Sequence, residues 1–333
     1  MRFKATSLVN AALIAFSMSA SLAIAADPPK IATITYIGFD GAPLNLTERV
    51  AIEKGLFAAH GLEVKFIGGA SGQQMVSGLL SGSAQIGTLT TSATAPLMKQ
   101  GQCFQYLTSG ARTYYNLIAQ PDLKLPNAGK PFPDNLVDLK GKKVGINARG
   151  TALEFMVDAL LKEAGMSPGD ITYIATGGAA TAVAALRNRQ VDVLMNFPIS
   201  EQLLKPDEYQ YVAKLMDTEK RNPIHNLTQV FSGASCEYVK ENPAVVAAFC
   251  SAIGDAYRYV NNPANKDAVL DVVQKTMKID QAMSASFWQQ YKRSWPTAKI
   301  DAKEWTAQTM LLSKGTDLPA YKEHVSAACQ AKL

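Results

Sequence analysis

KFIGGASGQQMVSGLLSGSAQIGTL, residues 65–89, and TYIATGGAATAVAALRNRQVDVLM, residues 172–195, present the same order of parts. Each passes from an apolar stretch through Gly-Gly-Ala into a helix of small and apolar residues, then out into a second apolar stretch. Strand, tight turn, helix and strand make the βαβ unit of a parallel sheet covered by helices. Two such units in one chain predict an α/β protein with two lobes built on one plan.

The pattern extends outward from both units. In the first, Ile31–Ile37, Leu62–Ile67, Gln85–Leu89 and Phe104–Ser109 are strand-like. Leu46, Val50 and Ile52 give the buried side of a helix that Gly55 should terminate. Met75, Val76, Leu79 and Leu80 fall at helical spacing. The second unit begins after the Pro- and Gly-rich stretch 121–133. A buried strand within Leu139–Ile146 turns at Asn147–Thr151 into a helix with Leu153, Met156, Val157, Leu160 and Leu161 on one side. Ile171–Ala175, a helix through Val183 and Leu186, and Val191–Met195 follow. Past Leu215 the polar stretch 217–226 leads back to Thr228–Ala234, and the chain finishes in helices. The clearest of these has Val246, Phe249, Cys250, Ile253 and Tyr257 on one face. A chain that crosses out, builds a second lobe and returns needs two hinge segments and leaves a cleft. The expected division is 26–115 with 225–333 for the first lobe, and 116–224 for the second.

Residues 1–25 read as a leader. Arg2 and Lys4 precede a charge-free run from Leu8 to Ile24, with Leu13, Ile14, Phe16 and Met18 at its apolar heart. Ala23-Ile24-Ala25 puts small residues where a signal peptidase reads, so cleavage before Ala26 and a free protein in the periplasm are expected. Ser17, Ser19 and Ser21 dilute the run, which falls short of the ~20 apolar residues of a spanning helix. Without Arg2 and Lys4 the formal charge of +5 falls to about +3. No Lys/Arg run accompanies it, so nucleic acid is not an expected partner. Four cysteines, Cys103, Cys236, Cys250 and Cys329, lack zinc-like spacing. In an oxidising compartment they allow up to two disulfides, in any of three pairings.

Common catalytic signatures are missing. The chain has no G-x-S-x-G, no Walker A loop and no G-x-G-x-x-G, and His60, His225 and His324 follow no ligand spacing. Neither an enzyme nor a cofactor is expected. The chemistry lies instead in the turns. Ligands of open parallel sheets bind at the carboxyl ends of strands, where helix N-termini offer free N–H groups and a positive dipole end. Small residues recur there: Gly69-Ala70-Ser71-Gly72, Thr90-Thr91-Ser92, Arg149-Gly150-Thr151 and Gly177-Gly178-Ala179. Glycine admits close approach to the backbone, and hydroxyls add donors. Arg112 and Arg149 are the candidate cations, Arg149 being the stronger because it precedes a helix start. Phe39, Tyr114 and Phe197 are candidate aromatic walls. The set suits a sulfonate, carboxylate or taurine-like anion. A neutral heteroaromatic stacked on Phe39 or Phe197 is the alternative.

Four stretches resemble one family: ERVAIEKGLFAAHGLEVKFIGGASGQQMVSGLLSGSAQIG (48–87), DLKGKKVGINARGTALEFMVDALLKEAGMSPGDITYI (138–174), ALRNRQVDVLMNFP (185–198) and CEYVKENPAVVAAFCSAIGDAYRYV (236–260). They look like the substrate-binding proteins of ABC importers for nitrate, aliphatic sulfonates, taurine and thiamine-precursor pyrimidines. The resemblance implies a type II periplasmic binding fold, hinge closure over a small-molecule ligand, and delivery by a monomer to a membrane permease. A sensory role at a membrane receptor is the variant. By position, the family's ligand loops correspond to Gly38, Phe39 and Asp40; Ala70, Ser71, Gly72 and Gln73; Thr90, Thr91 and Ser92; Arg149, Gly150 and Thr151; Gly177, Gly178 and Ala179; and Asn196 with Phe197. One departure stands out. The family commonly has an acidic residue after the second helix of the first lobe, where this chain has Gln85, while Asp192 keeps it in the second lobe. The Cys-rich run of the family's eukaryotic pyrimidine-synthesising members is absent.

Overall fold

Two five-stranded sheets organise the chain in a computed structural model that describes Met1 and residues 32–69, 71–195, 199–216, 222–225 and 227–333. Residues 2–25 of the expected leader, Ala70, Asn196 and Phe197 lie outside the described residues. The first sheet starts with β1 (Ala32–Phe39), α1 (Leu46–Glu53), α2 (Leu56–Ala59) and β2 (Leu62–Gly69). It continues through α3 (Gly72–Leu80), β3 (Ile86–Leu89), α4 (Thr91–Met98) and β4 (Phe104–Ser109). The second sheet uses β5 (Leu117–Ala119), β6 (Lys143–Ile146), α5 (Ala152–Glu163), β7 (Thr172–Ala175), α6 (Ala179–Arg187), β8 (Val193–Met195), α7 (Ser200–Leu203) and β9 (Gln210–Ala213). The chain then returns to the first sheet as β10 (Phe231–Ser235) and ends in α8 (Cys236–Glu241), α9 (Pro243–Asn261), α10 (Lys266–Met277), α11 (Gln281–Tyr291), α12 (Ala302–Ala307), α13 (Tyr321–His324) and α14 (Ala327–Gln330).

The strand orders β2-β1-β3-β10-β4 and β7-β6-β8-β5-β9 are the same plan twice. In each, two parallel strands come from the repeated unit and a third, β1 or β6, from the segment before it. The fourth runs antiparallel and comes from just beyond a crossing between the sheets. The shared plan explains Gln85. Its side-chain Oε1 accepts the Thr35 backbone N–H at 2.8 Å, and its own N–H donates to Thr35 O. Asp192 does the same in the second sheet, accepting from Lys143 N at 2.8 Å and donating to Lys143 O. The position requires one acceptor oxygen rather than a charge, so an amide replaces the acid without changing the strand pairing.

Burial follows the apolar pattern. β3 and β8 are buried throughout, as strands covered on both faces must be. Val246, Phe249, Ile253 and Tyr257 of α9 are buried along one stripe, with Phe249 stacked between Tyr36 and Phe57. Pro243, lacking an N–H, starts α9 and separates it from α8. The cysteines pair Cys103–Cys236 and Cys250–Cys329, which selects one of the three pairings the sequence allows.

The crossings run side by side. Gly110 N donates to Val230 O, Gln229 N to Ala111 O and Thr113 N to Leu227 O, at 2.7–2.9 Å. A Cβ at Gly110 would lie 2.7 Å from Val230 O, so only glycine lets the two segments approach this closely. Beside them, the buried Glu201 of α7 accepts from Asn116 Nδ2 at 2.9 Å, from Tyr291 OH at 3.4 Å and from Gln290 Nε2. One carboxylate thus ties the second sheet's helix to the first crossing and to the end of α11. Glu201→Ala leaves those donors buried without an acceptor, so urea denaturation should show a stability loss of about 2–3 kcal/mol. Glu201→Gln should lose less. Wild-type stability in Glu201→Ala would contradict this role.

Candidate functional site

A cavity of about 610 Å³ lies where the carboxyl ends of both sheets face each other. The first sheet contributes the loop after β1 (residues 39–44), the turn after β2 and the start of α4. The second contributes residues 147–149 and 151–153 after β6 and 177–179 after β7, and Tyr114, Tyr115, Gln229 and Val230 come from the crossings. Four helices therefore begin at one space. Ser71 caps α3 by accepting from Gln74 N at 3.3 Å. Thr90, Thr151 and Gly178 precede α4, α5 and α6 without a side-chain cap. The first-turn N–H groups of a helix have no intrahelical partner. Three uncapped starts around one cavity favour a ligand rich in hydrogen-bond acceptors.

The loop after β1 is held from below by a chain of donors. Asn45 Oδ1 accepts from Phe39 N at 2.8 Å, while Asn45 Nδ2 donates to Tyr36 OH and Thr88 Oγ1. Tyr36 OH lies 2.9 Å from Ser232 Oγ, which donates to Glu48 Oε1 at 2.6 Å. Burial pushes the Glu48 carboxyl up, and hydrogen bonds from Ser232 and Thr47 oppose the rise. Gly38 belongs to this support and does not line the cavity. A Cβ there would meet Asn45 Oδ1 and Phe66 Cζ, each at 2.7 Å.

Each described charge that lines the cavity arrives already paired. Asp40 Oδ1 lies 3.3 Å from Arg49 Nη2, and that guanidinium covers the Phe66 ring. Arg149 Nη2 lies 2.7 Å from Glu154 Oε1, with its guanidinium 4.8 Å above the Tyr173 ring. Glu154 Oε2 also accepts from Gly150 N at 2.6 Å. Behind this pair, Tyr173 OH donates to Asp158. Burial raises the Asp158 carboxyl, the Tyr173 bond opposes it, and the neighbouring Glu154 charge adds to it.

Among the residues singled out in the sequence, Phe39, Asp40, Ser71, Gly72, Gln73, Thr90, Ser92, Tyr114, Arg149, Thr151, Gly177, Gly178 and Ala179 line the cavity. Four do not. Gly38 is covered by Asn45. Thr91 is buried and donates to Gln308 at 3.1 Å. Gly150 turns the chain at φ +71° without reaching the lining. Arg112 lies outside the lining: its guanidinium pairs with Glu304, which also accepts from Thr228 across the crossing. Burial raises the Glu304 carboxyl and Arg112 counters it. Arg112 therefore ties the crossings to α12 and does not line the cavity.

Sequence reading missed Pro43, Leu44, Tyr115, Leu153, Ile199, Gln229 and Val230. Leu153 sits one residue into α5, and its place in the predicted apolar stripe concealed it. Gln229 and Val230 could be found only by knowing that the crossings floor the cavity. Ile199 holds φ +86°, an outlying conformation for a β-branched residue, and no pattern in the sequence marks it.

A family model described as NMT1/THI5 like matches residues 47–266. The chain belongs to the NMT1/THI5-like family. A structure from Bordetella bronchiseptica superposes with a TM-score of 0.74 at 21% identity, covering 90% of this chain and 96% of that one. The periplasmic aliphatic sulphonate binding protein SsuA of Escherichia coli gives 0.65 at 17% identity, covering 84% and 90%. The periplasmic nitrate-binding protein NrtA of Synechocystis gives 0.62 at 18% identity, covering 77% and 69%. A Brucella melitensis chain named only as a binding protein is 26% identical over 234 residues, 70% of this chain and 68% of that one. The fold is the type II periplasmic binding fold of these neighbours.

Gly38→Ala should lower the stability of this family member by about 1–3 kcal/mol in urea, because Asn45 or Phe66 must move. Gly129→Ala, where a Cβ meets open space, should leave it unchanged. Equal stability of the two variants would remove Asn45 as the support of the loop.

Proposed function

We propose that this chain is the solute-binding component of an ABC-type importer, which captures a small organic molecule in the cavity and hands it on unchanged to a membrane permease. The observation that carries the reading is the cavity itself, to which both sheets and both crossings contribute. A ligand held there bonds both sides at once and so stabilises the shut arrangement over the open one. The hydroxyls around it support capture without chemistry. Ser71 caps a helix, Ser92 donates to Thr90, and Thr151 donates to Asn147 and Ala148 O. None of these contacts is to a general base. The leader expected at residues 1–25 supports export to the periplasm, as does the fold shared with periplasmic proteins.

For the ligand, the pairing of charges favours a neutral, acceptor-bearing heteroaromatic. Arg112 is committed to Glu304 and Arg149 to Glu154, so an anion would have to displace a carboxylate before meeting either cation. Phe39, Leu44, Tyr114, Leu153 and Val230 supply apolar surface for a ring. One observation favours the organic anion instead: the Arg149 side chain is 62% exposed, so its ion pair with Glu154 is open to solvent on one side.

Calorimetry on refolded, ligand-free protein separates the two. A pyrimidine panel should bind and raise Tm, while taurine, alkanesulfonates and nitrate should bind weakly. Glu154→Gln, which frees Arg149, should tighten alkanesulfonate binding about tenfold, or about 1.4 kcal/mol. Tight sulfonate binding to the wild type that Glu154→Gln leaves unchanged would establish the anion reading. Binding by neither class in a folded protein would sink both.

A further inference from the structure

Cys103, Cys236 and His324 come from three separate segments. Cys103 immediately precedes β4, Cys236 opens α8 and His324 closes α13. Their sulfurs and a ring nitrogen lie within 4.8 Å of one another. The cluster sits at the amino end of edge strand β4, while the cavity lies at the carboxyl ends of the parallel strands. The two disulfides differ in access. Cys250 and Cys329 are 0% and 1% exposed, whereas Cys103 is exposed and Cys236 half-buried. A thiol reagent therefore reaches Cys103–Cys236 first, and that is the pair with a histidine beside it.

We propose that, when a dithiol reduces the Cys103–Cys236 bond, the two thiolates and His324 form a binding site for zinc. The dithiol gives two electrons and two protons to the S–S bond and closes as its own cyclic disulfide. Zinc then takes both sulfurs as thiolates, and their two protons leave to solvent. His324 already has a backbone partner at one ring nitrogen. Its Nδ1 lies 3.1 Å from Phe104 O, and donating there leaves the ring lone pair on Nε2, the usual second-shell arrangement of a metal-bound imidazole. Two sulfurs and one nitrogen leave a fourth, tetrahedral position for water.

The segments do not depend on the S–S bond to stay together. Cys236 N donates to Cys103 O at 3.1 Å, Gln105 Nε2 to Glu323 O at 2.7 Å and Ser326 N to Tyr106 O at 3.0 Å. Donors around one zinc ion sit roughly 3.5–3.8 Å apart, so side-chain rotation after the bond opens is enough to close the set. Glu323, with Oε2 4.0 Å from His324 Nε2, adds negative charge at the rim. Zinc would thus replace a covalent staple with a coordinate one at the same place.

The experiment is a cobalt(II) titration of the purified protein after brief dithiothreitol treatment and removal of the reagent without air. Reduced wild type should develop a thiolate-to-cobalt charge-transfer band that saturates at one ion per chain and disappears when zinc is added. Zinc should also slow alkylation of Cys103 and Cys236 as mapped by mass spectrometry. His324→Ala should weaken cobalt binding by about tenfold or more, with its fold checked by circular dichroism. Absence of the band in reduced, folded wild type would overturn the proposal. Equal affinity in His324→Ala, or an equal band in oxidised protein, would do the same.

Discussion

The two crossings between the sheets must lie against each other, and the absence of a side chain at Gly110 permits it. With Val230 O in the space a Cβ would fill, residues 110–113 and 227–230 pair as antiparallel neighbours before each enters the opposite sheet. β5 then becomes the antiparallel strand of one sheet and β10 that of the other, so neither sheet is complete without chain from across the junction. The same pairing brings Tyr114, Tyr115, Gln229 and Val230 to the floor of the cavity. Arg112–Glu304 and Glu201–Asn116 brace it from two sides. Cavity and junction are one construction.

Charge in this molecule is kept for scaffolding. Arg112, Arg149 and Arg49 each meet a carboxylate, and buried Glu48 and Glu201 end hydrogen-bond chains that fix a loop and a helix. A neutralised cavity offers backbone N–H groups and apolar walls in place of a full positive charge. On the proposed reading, discrimination rests on shape and acceptor placement, because a small inorganic anion fills little of about 610 Å³.

Much of the fold was legible because the repeated unit has one unambiguous period in each element. Phe104–Ser109 is a strand with the expected ends, and Gly55 follows α1 at φ +68° as a helix stop should. β1 runs on through Gly38 to Phe39, two residues past the expected end at Ile37, because Gly38 and Phe39 pair with Gly68 and Gly69. The return strand starts at Phe231 rather than Thr228, since residues 228–230 are spent on the crossing. The turns at strand ends were readable as cavity-lining segments for the same reason as the strands. What the sequence hid were the partners of the charged side chains. Nothing near Arg112 announces Glu304, and nothing at Arg149 distinguishes a free guanidinium from one paired a turn later with Glu154.

The most direct measurement is a crystal structure of the protein with the heteroaromatic compound that raises its Tm most. The account predicts one molecule between residues 39–44 and 71–73 on one side and 147–153 and 177–179 on the other, with Arg149 still paired to Glu154. A ligand seated on one sheet alone, or a charged head group against an Arg149 turned away from Glu154, would contradict it.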